Sequence, residues 1–298
     1  MPFDIRLYNR HTGAVETESV YGRRVMDLFY GTPWGRRISS WLLCRPLVSK
    51  IYGLIQQHPW SRRQIAPFIR QYNIDLDEVI IPAVGFYSFN AFFTRQFKSG
   101  IRRADRREEC LVSPADSRLQ VFPVVTDFSL KVKGMQLTLP QLLGTAHLDG
   151  IFQGGLCLSF RLAPSDYHRF GYAREGRQGP VHTINGPLHS VSPLATRHKP
   201  DILGTNYRQW CFIHTADAGT MIQVEVGAMM VGSIVQHQPQ GGLCSRGQEK
   251  GYFQFGGSTI LVIIPAGQVA MDDDIVHWSE QGIETLVRYG EAVGRVLA

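Results

Sequence analysis

The chain lacks the cysteine patterns that mark metal or disulfide frameworks. Its five cysteines, Cys44, Cys110, Cys157, Cys211 and Cys244, are odd in number and form no CxxC pair or Cys/His cluster at zinc spacing. That leaves reduced thiols in a cytosolic setting as the simplest reading, with no metal expected. The first ten residues, MPFDIRLYNR, contain no apolar run, so they do not read as a secretory signal. No apolar stretch reaches 18 residues. The nearest, Ile38 to Ile55, is interrupted by Arg45, Pro46 and Lys50, which argues against a spanning helix. No GxGxxG or P-loop follows a strand-like run, so a nucleotide fold has no support. Repeats and low-complexity tracts are also absent. With 298 residues, 44% hydrophobic and 19% charged, the composition is that of a folded protein with a large core.

Charge is present, but unevenly. The net value is +6, and residues 1–70 hold eleven basic and four acidic side chains, so all the positive excess lies in the first quarter. The first ~80 residues read as helical. Val25, Met26, Leu28 and Phe29 share a face. The stretch from Ile38 breaks at Pro46 and resumes at Leu47, and Ser61 is a candidate cap for a helix through Phe68 and Ile69. Arg36, Arg37, Arg45, Lys50, Arg62 and Arg63 are interleaved with Trp34, Trp41, Tyr52 and Trp60. Basic residues beside tryptophan suit a helix lying at an anionic membrane surface, and equally suit helices packed on a core with arginine outward. No nucleic-acid-binding motif accompanies them.

From about Cys110 the texture changes to short β-rich runs punctuated by Gly and Pro: Leu119–Val125, Leu156–Leu162, Trp210–Thr215, Met221–Val226 and Thr259–Ile264. The expected fold class is α+β, a helical N-terminal region (1–80) packed on a mostly antiparallel β catalytic core (81–298). The stretch Gly282–Val296 is expected to form a closing helix.

Three segments carry chemical potential. Phe255–Thr259 (FGGST) places a glycine pair before two hydroxyl residues, next to the apolar run Ile260–Ile264. Glycine leaves its carbonyl open to approach, although a bare GGST reads equally as a strand-edge turn. Leu162–Arg169 (LAPSDYHR) holds His168 two residues after Asp166. In a strand the two side chains would share a face, so Asp166 is an auxiliary candidate or a plain ion-pairing residue. Val112–Ser117 (VSPADS) holds Asp116, which suits a turn or the orientation of a histidine.

Together these segments resemble the phosphatidylserine decarboxylase family. Phe93-Thr-Arg95 is similar to its FFTR segment, and Ser113–Asp116 to its SP(V/A)DG motif. Arg161–Phe170 (RLAPSDYHRF), Val226–Ile234 (VGAMMVGSI) and Gly247–Thr259 (GQEKGYFQFGGST) follow in the family's order, so the likeness spans about Asn90 to Ile264. Two positions depart from it. Gly171 stands where the family has a second histidine, three residues after the first, and Ser117 replaces the glycine of SPxDG.

The resemblance implies a self-processing proenzyme cut between Gly257 and Ser258 into a large chain, 1–257, and a small chain, 258–298. Ser258 Oγ attacks the Gly257 carbonyl, with His168 as general base oriented by Asp116. Elimination leaves dehydroalanine at 258, and hydrolysis gives ammonia and a covalent pyruvoyl group, the cofactor. That group forms a Schiff base with the substrate amine and takes up electrons as CO₂ leaves, with His168 as proton donor. The implied reaction converts phosphatidylserine to phosphatidylethanolamine and CO₂. The implied partners are an anionic phospholipid membrane surface, the lipid substrate and the two chains of one precursor, and a homodimer is compatible with all of this. The implied location is peripheral, on the cytoplasmic face of a membrane. The Gly171 departure keeps open a soluble decarboxylase of free aromatic amino acids, and a family member that does not mature and only binds anionic lipid. An ordinary serine hydrolase has no G-x-S-x-G elbow to support it.

Overall fold

The computed structural model describes residues 5–18, 32, 34–35, 46–125, 129–132, 135–145, 150–196, 201–229, 233–254, 256 and 258–297. The expected helical face at Val25–Phe29, the run Ile38–Arg45, Cys44 and Gly257 lie outside the described residues.

The chain opens with a hairpin, β1 (Arg6–Asn9) and β2 (Ala14–Thr17), where a helical reading had been expected. Helices follow: α1 (Pro46–Gln57), a 3₁₀ turn (Pro59–Gln64), α2 (Ile65–Tyr72) and α3 (Phe89–Phe93). Ser61 does not cap α2, as expected from sequence. It lies inside the 3₁₀ turn, fully buried, near the Gln56 and His58 carbonyls, and accepts the Phe89 N–H at 2.9 Å. It thereby pins α3 to the turn. These helices share a small aromatic core of Phe68, Phe89, Phe92 and Phe93, with Phe68 and Phe89 edge-on at 5.2 Å.

The β core begins with β3 (Cys110–Val112), β4 (Ser117–Val125), β5 (Ser129–Val132) and β6 (Met135–Thr138). After α4 (Leu139–Leu143) come β7 (Leu156–Leu162), β8 (Arg169–Gly171), β9 (Gly176–Gln178) and β10 (His182–Ile184). Short helices α5 (Pro193–Thr196) and α6 (Ile202–Thr205) precede β11 (Arg208–His214), β12 (Thr220–Gly227), β13 (Ile234–Gln236) and β14 (Gly242–Cys244). The end of the chain supplies β15 (Glu249–Phe253), β16 (Ser258–Ile264), β17 (Val269–Met271), α7 (Asp273–Glu280), β18 (Glu284–Val287) and β19 (Ala292–Val296).

The main sheet runs β14-β9-β11-β12-β16-β7-β4-β18-β1-β2, and its pairings are antiparallel except between β1 and β18. Two three-stranded sheets, β13-β15-β8 and β17-β19-β3, pack beside it. β16 (STILVII) is buried at all seven positions, as a continuous apolar run at the centre of a sheet covered on both faces must be. The architecture is α+β, as expected. The expected closing helix is instead β18 and β19. Gly282 and Gly290 adopt φ of +71° and +79°, which breaks a helix, while β4 and β1 offer β18 partners on both sides.

Candidate active site

The register of the central strands sets the singled-out segments at one end of the main sheet. Ser258, the first residue of β16, pairs with Gly227 at the end of β12 and with Leu162 at the end of β7. Next along the row, Arg118 of β4 pairs with Arg161, and Ser117 with Val287. Four chain segments leave or enter at this end: the loop after β7 carrying Asp166 and His168, the loop before β4 carrying Asp116, the junction before β16, and the turn after β18 carrying Tyr289. At that junction Gly256 has φ +138°, a conformation open to glycine and rarely to other residues.

Ser258 is fully buried and its Oγ has no hydrogen-bond partner. A buried hydroxyl normally finds one, so an idle one at a strand start is a group held ready. His168 is also fully buried. Its ring stacks on Phe93, with centroids 4.0 Å apart. Burial, and then the positive charge of Arg95, push its pKa down to about 3, so the ring is neutral. Its Nε2 lies 3.1 Å from the Ala163 carbonyl, which can only accept, so Nε2 bears the proton. Nδ1 therefore carries the lone pair, and it has no partner.

Asp116 does not hydrogen-bond His168. Its carboxylate takes Arg102 (Nε to Oδ1, 3.0 Å) and the backbone N–H of Tyr289 (2.7 Å). The same loop offers the Pro114 carbonyl to the Gly171 N–H at 2.8 Å, bracing β8 just beyond His168. Asp166 lies on a turn, not in a strand as its shared face with His168 had presumed, since β8 starts only at Arg169. Its carboxylate pairs with Arg118 and accepts the Ala163 N–H at 2.7 Å. Burial pushes its pKa up, against the pull of those two donors. Arg118 and Arg161 continue through Glu18 and Glu284 as a buried chain of charges.

Gly171 has no room for a side chain. A Cβ there would sit 2.3 Å from the Tyr289 hydroxyl oxygen and 2.7 Å from the Gln248 carbonyl. Sequence reasoning did not find Tyr289, the charge chain or the buried Lys250–Glu225 pair, because each is assembled by contacts far apart along the chain.

An α+β protein with a buried, idle serine at a strand start and a neutral histidine on the loop after the neighbouring strand is of a class that carries the two groups a hydroxyl nucleophile and its base require. The comparisons agree with that class. The family model for phosphatidylserine decarboxylase matches residues 89–295. The chain is 37% identical to the phosphatidylserine decarboxylase proenzyme of Clostridium kluyveri, over 97% of this chain and 98% of that one. It is 38% identical to that of Ruminiclostridium cellulolyticum, over 98% of each, and 39% to that of Chlamydia muridarum, over 96% of each. The chain belongs to the phosphatidylserine decarboxylase family.

Proposed function

We propose that this chain is a phosphatidylserine decarboxylase proenzyme, which cuts itself after Gly257 and then converts phosphatidylserine to phosphatidylethanolamine and CO₂. The observation that carries the reading is the buried, unpartnered Ser258 Oγ at the head of β16, whose neighbour β7 leads into the loop that carries His168. Ser258 Oγ adds to the Gly257 carbonyl carbon, the bond to the Ser258 nitrogen breaks, and an ester replaces the amide. His168 Nδ1 takes the hydroxyl proton and returns it to the freed nitrogen. Loss of the Ser258 α-proton expels the Gly257 carboxylate, and water releases ammonia. Asp116 positions the parts, through Tyr289 and through the loop that braces β8.

Ser258 fits the pyruvoyl precursor, because its dry, idle position keeps water from diverting the ester. The pyruvoyl group supplies a carbonyl that takes the substrate amine and accepts the electron pair as CO₂ departs. His168 Nδ1, which holds a lone pair, would take up the proton given off as the substrate ammonium condenses and pass it to the carbon that lost CO₂. Asp166 holds the His168 loop closed through the Ala163 N–H and Arg118.

The lipid reading is favoured over a free amino acid by α1. That helix exposes Ile51, Leu54 and Ile55 while burying Ser49 and Gln56, the reverse of a helix facing water. Exposed Trp60, Arg62 and Arg63 follow it, which suits a peripheral place on an anionic surface. No helix among the described residues is long and apolar enough to cross a membrane.

The test is the mass of the purified chain under denaturing conditions. Two species, 1–257 and 258–298, the smaller with a ketone in place of its N-terminal amine, are expected. A single 33.6 kDa species that persists with anionic lipid overturns the maturation step and leaves a lipid-binding protein.

A further inference from the structure

Two buried arginines face each other on neighbouring strands. Arg118 of β4 pairs in register with Arg161 of β7, and the next residue of β7, Leu162, pairs with Ser258. Like charges directly opposite in a sheet repel, and the repulsion strengthens away from water. Such a pair needs a counter-charge between its members, and Glu18 supplies it. Its Oε2 lies 2.7 Å from Arg161 Nη2. Its Oε1 lies 2.7 Å from Arg118 Nε, an ion pair outside hydrogen-bond alignment. Against the burial that would raise it, Arg161 and Arg118 hold the Glu18 carboxyl below its ordinary pKa, so it is charged.

Glu18 reaches this place from the start of the chain. It follows β2, its N–H bonds the Ile5 carbonyl at 2.8 Å, and β1 docks in parallel on β18 with Leu7 opposite Glu284. It lies outside residues 89–295, the stretch that the family model matches. From Glu18 the contacts run to the histidine in few steps. Arg118 Nη1 pairs with Asp166. Asp166 accepts the Ala163 N–H at 2.7 Å. The carbonyl of the same Ala163 faces His168 Nε2 at 3.1 Å, and that contact is what leaves the lone pair on Nδ1.

We propose that Glu18 is a positioning residue for His168, acting through Arg118, Asp166 and Ala163 to keep the ring proton on Nε2 and the lone pair on Nδ1. The inference rests on the proenzyme reading above and extends its machinery to the N-terminal hairpin. With Glu18 uncharged, Arg161 pushes Arg118 out of line, and Asp166 follows Arg118 away from the Ala163 N–H. The Ala163 carbonyl then no longer fixes the tautomer, since the proton's place on an imidazole is set by the hydrogen bond its nitrogen makes. A share of the rings carries the proton on Nδ1, where it blocks the base.

Two readouts on the full chain test this. Ring ¹⁵N spectra are recorded near neutral pH in Ser258→Ala protein, which cannot be cut, with His168→Gln in that background identifying the His168 signals. Self-cleavage is timed in chains that keep Ser258. The Ser258→Ala parent is expected to show a protonated Nε2 and an unprotonated Nδ1. Glu18→Gln is expected to show a mixture of tautomers and to be cut about tenfold more slowly, a part of the ~10²–10⁴-fold that a general base contributes. Glu18→Asp keeps the charge with a shorter reach and is expected to restore part of both. A parent with its proton on Nδ1 overturns the proposal. So does Glu18→Gln with parental ring signals, even where cleavage slows, because the loss then comes from stability alone. A changed ring with a wild-type cleavage rate overturns it as well. Should Glu18→Gln not fold, Glu18→Asp decides: both readouts shifted in the same direction support the proposal, and either one unchanged overturns it. A wild type that is never cut is a failure of the proenzyme reading, and the ring signals, read in a chain that needs no cleavage, then decide the positioning.

Discussion

His168 Nε2 faces the Ala163 carbonyl while Nδ1 faces no partner, and this asymmetry makes a prediction about pH as well as about turnover. With its pKa held at about 3 against an ordinary 6.5, the folded chain refuses a proton that the unfolded chain accepts. The stability from keeping this ring neutral is fully present above about pH 6.5 and is lost as pH falls from there toward about 3, at roughly 1.4 kcal/mol per pH unit. His168→Gln has no such proton. It is expected to abolish self-cleavage, and the gap between its denaturation midpoint and that of wild-type protein should narrow on acidification. A gap that stays constant from pH 7 to pH 4 would sink the neutral-histidine assignment. At Gly171, the Gln248 carbonyl and the Tyr289 hydroxyl leave no space for a methyl group. Gly171→Ala is therefore expected to cost about 1–3 kcal/mol, with only part recovered by adding Tyr289→Phe, since the Gln248 carbonyl still clashes. Chemical denaturation of the single and double variants checks this, and an unperturbed Gly171→Ala would contradict the packing described.

Between elements, the decisive joint is the one that holds the small sheet β13-β15-β8 against β12. Lys250 Nζ of β15 lies 2.8 Å from Glu225 Oε1 of β12, both fully buried, and Gln236 of β13 bonds both at 2.9 and 3.0 Å. Gln223 of β12 donates to the Gly171 carbonyl at 3.2 Å. This joint fixes β8, and with it the His168 loop, relative to the strand beside Ser258. Lys250→Met leaves Glu225 charged and unpaired, and is expected to destabilise by about 3–5 kcal/mol. Lys250→Met with Glu225→Leu should regain most of that. A double variant no better than the single one, by denaturation midpoint, would mean that the pair is not coupled. Nothing in the local sequence announces this joint, because Lys250 and Glu225 meet only through sheet packing. The central strands were legible for the opposite reason, since runs such as Leu156–Leu162 and Thr259–Ile264 carry their burial in their composition. β1 and β2 were not, because RLYN and AVET are short and half polar and gain their strand form from pairing with each other and with β18. Ser258, His168 and Asp116 were singled out by their motifs, but that Asp116 bonds Arg102 and the Tyr289 N–H, not His168, was not readable there. Arg95 sits within a recognised motif, but its burial against the loop after β7, where Nη2 donates to the Ser165 and Asp166 carbonyls, comes from contacts far along the chain.

Over the whole molecule, the apolar surface is concentrated near the N-terminal helices. Leu54 is 66% exposed and Val84 83%, with Ile51, Ile55, Trp60, Ile80 and Ile81 also open. The loop carrying Val84 adjoins the 3₁₀ turn carrying Arg62, whose guanidinium would lie 3.5 Å from a Cβ at Gly85. An apolar face edged by arginines is matched by a bilayer with anionic headgroups, where the apolar groups leave water and each basic residue adds about 1 kcal/mol near the surface. Removing two charges with Arg62→Gln and Arg63→Gln should therefore weaken binding to phosphatidylserine-containing vesicles by roughly thirtyfold, and salt should weaken the wild-type interaction in the same direction. Leu54→Ser with Val84→Ser should weaken binding to anionic and neutral vesicles alike, because the lost contribution is hydrophobic. Cosedimentation at low and high salt separates the two effects. Because these side chains are exposed and make none of the contacts described for Ser258, His168 and Asp116, the masses of the cleavage products should be those of wild-type protein in both double variants. Equal wild-type binding to neutral and anionic vesicles would remove the arginine contribution, and binding untouched by either pair would remove the membrane from this face and reopen a soluble amine substrate.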